Sequence, residues 1–93
     1  MTIRYTDTAL DEIGEILSYI ARDNPRAATE VAAAIERAID AVERQPESAP
    51  VVYGRDVRAK RLVRYPYRVF YMARDGELIV RNVRSTRRRL PTR

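Results

Sequence analysis

The stretch YPYRVFYMARDGELIVRNVR, residues 65–84, decides the fold. Two runs rich in β-branched and aromatic residues, 67–73 and 78–84, lie on either side of Asp75 and Gly76. An Asp-Gly pair between two such runs is typical of a β-hairpin closed by a type I′ turn, because both central residues of that turn need positive φ angles. The sequence therefore predicts a long antiparallel hairpin.

Two further strands are predicted ahead of this hairpin. Residues 57–64 have strand composition, and Tyr65-Pro66 would form a second tight turn after them. Thr2–Tyr5 would form a short additional strand, whereas 45–56 carry the turn formers of a surface loop. The two turns together predict these cross-strand pairs: Ala73 with Leu78, Tyr71 with Val80, Phe70 with Arg81, Arg68 with Val83, Leu62 with Val69 and Arg61 with Phe70.

Two amphipathic helices are predicted between the first strand and the loop. Thr8 followed by Asp11 indicates a loose capping box at the start of the first helix, which would end near Asp23. Asn24 is a good N-cap and Pro25 a good first residue for the second helix, so the two must fold back as a hairpin. Apolar residues at i, i+3, i+4 and i+7 define one stripe on each helix. The stripes are Ala9, Leu10, Ile13, Ile16, Leu17 and Ile20, and then Ala28, Val31, Ala32, Ile35, Ile39 and Val42.

These elements predict one α+β domain over residues 1–93, in the order β-α-α-β-β-β. We expect the helical hairpin to pack on one face of a mainly antiparallel sheet. Residues 85–93 would form a basic C-terminal tail.

The composition excludes several classes of functional site. The 93 residues include no Cys and no His, which excludes thiol nucleophiles, zinc–thiolate sites, Ser-His-Asp triads and His-ligated metals. We therefore expect no metal and no cofactor. No apolar run approaches the roughly 20 residues that cross a membrane, and the start is unlike a signal peptide. We expect a cytoplasmic protein without a membrane partner.

Charge is distributed unevenly along the chain. Residues 1–50 contain five Lys or Arg against ten Asp or Glu, whereas residues 51–93 contain thirteen against three. This asymmetry indicates a nucleic-acid or acidic partner for the second half. The simpler alternative is that surface arginines keep the protein soluble.

Side-chain alternation predicts two different sheet faces, an apolar face under the helices and an opposite back face. The back face would carry Arg61, Arg68 and Arg81 on neighbouring strands, with Phe70 between them. Guanidinium groups this close repel one another unless an anion separates them, and their forks suit phosphate or carboxylate. We expect an external anionic ligand; the alternative is neutralisation by local Glu residues or by the chain's own tail. The predicted apolar face is Leu62, Tyr67, Val69, Tyr71, Ala73, Leu78 and Val80, and the back face is Arg61, Val63, Arg68, Phe70, Met72, Ile79, Arg81 and Val83.

More arginines lie at the end of the last predicted strand and after it. Arg84, Arg87, Arg88 and Arg89 could form an electrostatic arm for a nucleic acid or an acidic protein, or a flexible solvated end. Together with the back-face arginines and Phe70, they are the candidate target- or anion-binding residues. The apolar side chains of the back face also suggest a protein partner that covers them, or that covers the helical hairpin.

No residue is a convincing catalytic candidate. Glu77 would lie at the hairpin tip, far from the arginines, and Tyr67 and Tyr71 would point into the core. The sequence therefore offers cations for binding an anion but no evident acid–base pair.

Motifs along nearly the whole chain are shared with one known family. The most specific is YPYRVFY, residues 65–71, followed by the Asp-Gly hairpin; YTDTAL at 5–10, Asn24-Pro25 and the basic segment Arg58–Arg64 accompany it. Together they resemble the RelE/ParE superfamily of toxins from type II toxin–antitoxin systems. The resemblance implies a toxin that forms a hetero-oligomer with a cognate antitoxin encoded in the same operon.

The superfamily offers two different targets. RelE-like members are ribosome-dependent mRNA endonucleases with a basic sheet face and a C-terminal Tyr or His. Arg61 and Arg68 match the basic positions. However, the stretch after Val83 contains neither Tyr nor His, and Ser85 stands where related sequences often carry His.

ParE-like members resemble this chain in their longer helical hairpin and in their missing catalytic set. Their likeness implies growth inhibition by poisoning DNA gyrase, a part in plasmid stabilisation, and no enzymatic activity of the toxin itself. We therefore expect a ParE-like toxin. A RelE-like mRNA endoribonuclease and a non-toxic binding or regulatory member are the alternatives.

Overall fold

The computed structural model describes residues 1–86 of the chain. Within them lie two helices and five strands: β1 (Thr2–Tyr5), α1 (Asp7–Asp23), α2 (Pro25–Arg44), β2 (Val51–Tyr53), β3 (Val57–Arg61), β4 (Tyr67–Arg74) and β5 (Glu77–Ser85). The strands form one sheet in the order β1-β5-β4-β3-β2, in which only the β1–β5 pair is parallel. The predicted α+β fold is confirmed.

The core lies between the helices and one face of the sheet. From α2 it receives the buried side chains Val31, Ala34, Ile35, Ala38, Ile39 and Val42. From the sheet it receives Val69, Tyr71, Leu78, Val80 and Val83. The sequence predicted all of these sheet residues except Val83 to lie on the sheet face under the helices.

Neither of the two helices in residues 1–86 combines the length and the apolar composition that a membrane-spanning helix needs.

Both helix starts are fixed by side-chain caps. Asn24 accepts a hydrogen bond from the Ala27 N–H at 3.0 Å, as its predicted N-cap role requires. The N-cap of α1 is Thr6 rather than Thr8: its Oγ1 accepts from the Ala9 N–H at 3.0 Å. The same hydroxyl donates to the Arg81 carbonyl at 2.8 Å, so this cap also joins α1 to β5.

The stripe of α1 is less buried than predicted. Only Ala9 is fully buried, and Leu10, assigned to the stripe, is 53% exposed. The strand that α1 chiefly contacts is β5, near one edge of the sheet, so there is too little sheet to cover the whole stripe.

The β4–β5 hairpin has the predicted turn but a different register at its far end. Asp75 and Gly76 have φ angles of +54° and +75°, as a type I′ turn requires. Predicted pairing holds as far as Tyr71 with Val80, where a β-bulge inserts Arg81 as an extra residue in β5.

The bulge overturns two predicted pairs. Phe70 lies opposite Asn82 instead of Arg81, and Arg68 lies opposite Arg84 instead of Val83. Val83, predicted on the back face, therefore turns into the core.

The connection before β4 is longer than a two-residue turn. Residues 62–66 form the loop, in which Arg64 has a φ of +77° and Leu62 is buried in the core. The β3–β4 register consequently shifts, and Arg61 lies opposite Arg68 rather than Phe70. Because the shift is two residues, each β3 side chain stays on its predicted face.

The segment after α2 is held against the sheet by two side chains. Tyr71 donates from its hydroxyl to the Pro46 carbonyl at 2.7 Å, and Arg58 donates from Nη1 to the Ala49 carbonyl at 2.6 Å. Burial raises the pKa of the Tyr71 hydroxyl, and the nearby Arg58 cation partly opposes this rise. The predicted surface loop 45–56 thus follows a fixed course, and residues 51–53 within it form the edge strand β2, which the sequence did not indicate.

Replacing Tyr71 with Phe should reveal how much this buried hydroxyl contributes to the stability of the fold. Tyr71→Phe should lower the free energy of unfolding at neutral pH by about 1 kcal/mol, because the hydrogen bond to Pro46 is lost. The pKa of the Tyr71 hydroxyl is raised in the folded state. The contribution of this hydroxyl to stability is therefore fully present below its ordinary pKa of 10.0, and it is lost as the pH rises through the folded-state pKa.

Urea unfolding at several pH values, followed by circular dichroism, measures this effect. The unmodified protein should lose stability more steeply above the ordinary tyrosine pKa than Tyr71→Phe does. Tyr53→Phe, at an exposed tyrosine, is the matched control. Equal pH profiles for the protein and Tyr71→Phe would contradict the prediction.

Candidate functional site

Three arginines lie directly opposite one another across three strands. Arg61 on β3 pairs with Arg68 on β4, and Arg68 pairs with Arg84 on β5. We call these three residues the arginine row. Arg68 and Arg84 alternate with the buried Val69 and Val83, so the row projects from the back face, away from the helices. Neighbouring strands are about 4.8 Å apart, so the row spans about 10 Å.

This row differs by one member from the predicted cluster. Arg81 is not in it, because the bulge leaves Arg81 without a partner on β4. Arg84, predicted as the first arginine of the electrostatic arm, takes that place instead. Ser85, predicted as the first residue of the tail, belongs to β5, and the Thr86 N–H donates to the Pro66 carbonyl at 2.7 Å. Arg87, Arg88 and Arg89 lie outside the described residues.

The row is unevenly neutralised. Among residues 1–86, Arg61 and Arg68 have no carboxylate within salt-bridge distance, whereas Arg84 Nε lies 3.2 Å from Glu12 Oε2. The Arg68 guanidinium lies 5.0 Å from the centre of the Phe70 ring, as the predicted placement of Phe70 beside the arginines requires. The row therefore retains uncompensated positive charge that an external anion can neutralise.

Glu12 on α1 is the acidic residue at the end of the row. Its Oε1 accepts hydrogen bonds from the Val83 N–H at 2.9 Å and from Asn82 Nδ2 at 3.2 Å. Its Oε2 accepts from Arg84 Nε at 3.2 Å. Because β1 ends at Tyr5, opposite Val80, the outer edge of β5 beyond that point has lost its neighbouring strand. The Glu12 carboxylate supplies an acceptor that a strand would have supplied.

Sequence reasoning missed Glu12. It is one of several acidic residues on the polar side of the first amphipathic helix, and no local pattern distinguishes it from Asp11 or Glu15. Its role follows from the bulge and from the pairing of β1 with β5 as far as Val80, neither of which the sequence revealed.

Within the described residues, Glu77, Asp56 and Tyr71 have partners away from the row. Glu77 forms an ion pair with Arg4 at 3.4 Å, and Asp56 forms one with Arg74 at 2.6 Å. Tyr71 is buried on the opposite face of the sheet. Residues 1–86 contain no group of three or more Asp or Glu side chains that could hold a metal ion. In residues 1–86 this arrangement suits anion binding, and no acid–base pair lies around the row.

A second surface feature is a groove of about 370 Å³ between the helices. Its wall is mostly apolar and is formed by Tyr5, Ile13, Leu17, Thr29, Ala32, Ala33, Ile35, Glu36 and Ile39. Burial raises the pKa of the Tyr5 hydroxyl, and the negative charges of Glu36 and Asp40 raise it further. The groove is therefore an apolar cleft with an acidic rim, on the opposite side of the sheet from the arginine row.

Comparison with known proteins finds matches that cover most of the chain. A family model described as "ParE toxin of type II toxin-antitoxin system, parDE" matches residues 3–90. The protein "Putative toxin Y4kP" of Sinorhizobium fredii (strain NBRC 101917 / NGR234) is 37% identical over 78 residues, which are 83% of this chain and 81% of that protein.

A solved structure shares the fold. It is described as "Chromosomal ParDE TA system from P. aeruginosa", and it superposes with a TM-score of 0.78 at 15% identity. The match covers 91% of this chain and 95% of the other. Two helices on a mixed five-stranded sheet are thus an architecture already seen in a solved protein.

Removing the Glu12 side chain should loosen the β5 edge. Glu12→Ala should lower the free energy of unfolding by about 1–3 kcal/mol, because the Val83 N–H loses its acceptor in a partly buried position. Urea unfolding measures the loss, and amide hydrogen exchange at Val83 should accelerate. Glu15→Ala, at an exposed position on the same helix, should change either quantity little. Equal effects of both substitutions would contradict the assigned role.

Proposed function

The chain belongs to the ParE toxin family of type II toxin–antitoxin systems, and on that premise we propose that it inhibits growth by poisoning DNA gyrase and is neutralised by a cognate antitoxin. The arginine row is the proposed surface of contact with the target. The observation that carries this proposal is that Arg61 and Arg68 face away from the helices without an acidic partner among residues 1–86.

The surroundings of the row favour trapping a target over cutting one. Cleavage of RNA through its 2′-hydroxyl needs a general base and a general acid in reach of the phosphate. The nearest carboxylate identified, Glu12, already accepts three hydrogen bonds that close the β5 edge. Residues 84–93 supply neither Tyr nor His. A protein with this surface can bind an anionic partner and hold it without reacting with it.

The groove between α1 and α2 is the proposed docking site for the antitoxin. An apolar wall with Glu36 on its rim and Asp40 near Tyr5 suits an amphipathic segment with basic residues along one side. The row carries the opposite charge, so the two surfaces select different partners. This assigns the helical side of the molecule to neutralisation and the back face to the target.

The target assignment can be tested on purified gyrase. The full chain should inhibit supercoiling and cause cleaved DNA to accumulate, and Arg68→Ala should raise the concentration for half inhibition by about tenfold, because one charged contact is lost. Arg37→Ala removes an equal charge from an exposed site on α2 and should leave inhibition unchanged. Unfolding midpoints of both variants establish that they are folded.

Expression of the chain without its antitoxin separates the alternatives. A gyrase poison should cause DNA breaks and a DNA-damage response. Cleavage of mRNA on translating ribosomes, with supercoiling unaffected, would instead establish the RelE-like alternative. Normal growth during expression of the folded protein would establish a non-toxic binding member. Either of these last two results overturns the proposal.

Antitoxin binding should depend on the groove and on salt. Ala33→Gln, which fills the groove, and Glu36→Ala, which removes its acidic rim, should each weaken binding of the adjacently encoded antitoxin by about tenfold. Raising the salt concentration should weaken the unmodified complex more than the Glu36→Ala complex. Isothermal titration calorimetry measures both effects, with Glu15→Ala as the control. Unchanged affinity in both groove variants would place the antitoxin elsewhere.

A further inference from the structure

We propose that the arginine row binds the phosphodiester backbone of a DNA strand, so that the toxin contacts the DNA held by its target as well as the protein. This inference deepens the proposed function and rests on it for the identity of the target. The part that does not depend on that target is that Arg61, Arg68 and Arg84 each contact a phosphate.

The first support is the linear arrangement of the three positive charges. The three arginines lie in one line across β3, β4 and β5, over about 10 Å. A DNA strand carries one negative charge per about 3.4 Å of helix axis, so about three phosphates fall within that length. Arginine side chains are long enough to adjust to the winding of the strand, and each guanidinium fork can bind a phosphate through two hydrogen bonds.

The second support is that two of the three guanidinium groups are held in place. Arg68 lies over the Phe70 ring at 5.0 Å. Arg84 is held through Nε by Glu12, and its two terminal nitrogens form no hydrogen bond within residues 1–86. Holding a side chain before binding reduces the entropy lost when the ligand arrives. The Phe70 and Arg68 pair also provides a flat surface of the kind on which unpaired bases stack.

The third support is the position of the acidic residues in the strand half of the protein. Residues 51–86 contain only three acidic side chains, Asp56, Asp75 and Glu77. Asp75 and Glu77 lie at the hairpin tip, and Asp56 pairs with Arg74 at that same end. The row lies at the opposite end of the β4–β5 hairpin. The field along the sheet is therefore polarised, which favours an extended polyanion over a single small anion.

Binding to labelled oligonucleotides tests the inference directly. Fluorescence anisotropy of a single-stranded DNA and of its duplex should show binding by the full chain that weakens with salt. Arg61→Ala, Arg68→Ala and Arg84→Ala should each weaken binding about five- to tenfold at about 0.1 M salt, and each should reduce the salt slope by about one. The single-stranded and duplex arms identify which form of the strand the row prefers.

Three controls make the result specific. Arg37→Ala should leave both affinity and slope unchanged. Arg68→Lys keeps the charge, so it should keep the slope while losing part of the affinity that depends on the guanidinium fork. Arg61→Gln, at an exposed position, remains informative if Arg68→Ala does not fold.

Each outcome either supports or overturns the inference. Row variants that bind DNA as tightly as Arg37→Ala overturn it, and so does a poly-glutamate peptide that binds the row more tightly than DNA of equal charge. Gyrase inhibition without any oligonucleotide binding also overturns it, while leaving the proposed function intact. DNA binding that depends on the row, in a protein that does not inhibit gyrase, supports the inference and contradicts the proposed function.

Discussion

One extra residue in β5 decides which side chains face the helices and which face the opposite side. Without the bulge at Arg81, strict alternation would turn Val83 away from the core and would place Arg81 opposite Phe70. With it, Val83 fills the core beside Val69, and Arg84 comes into line with Arg68. The hydrophobic gain from burying Val83 therefore also fixes the position of a surface arginine. Core packing and the charged face are set by the same irregularity.

The parts of this fold that the sequence predicted are those governed by local chemistry. The Asp75-Gly76 turn, the Asn24 cap and the first strand Thr2–Tyr5 all follow from preferences of a few neighbouring residues. The bulge and the loop 62–66 depend instead on the competition of distant side chains for the core. Alternation alone cannot anticipate them, because it assumes an uninterrupted ladder.

The same distinction between local and long-range effects explains which residues of the candidate site were predicted. Two members of the row, Arg61 and Arg68, were predicted, since each lies on the predicted face of its own strand. The third was assigned to Arg81 because the register was extrapolated across the bulge. Glu12 was not predicted at all, because a carboxylate that replaces a missing strand has no signature in its own helix. Its importance comes from the point on β5, Val80, at which the pairing with β1 stops.

The opposite charges of the two sides constrain how the proposed neutralisation by an antitoxin can work. The acidic groove lies on the helical side and the arginine row on the back face, so a segment held only in the groove leaves the row open. An antitoxin that blocks the row must therefore pass around an edge of the sheet. The edge formed by β1 is the nearer one, since Tyr5 lines the groove and Arg84 lies on the adjacent strand β5. Glu12 contacts Arg84 at that edge, so a passing acidic side chain would compete with it for the same guanidinium.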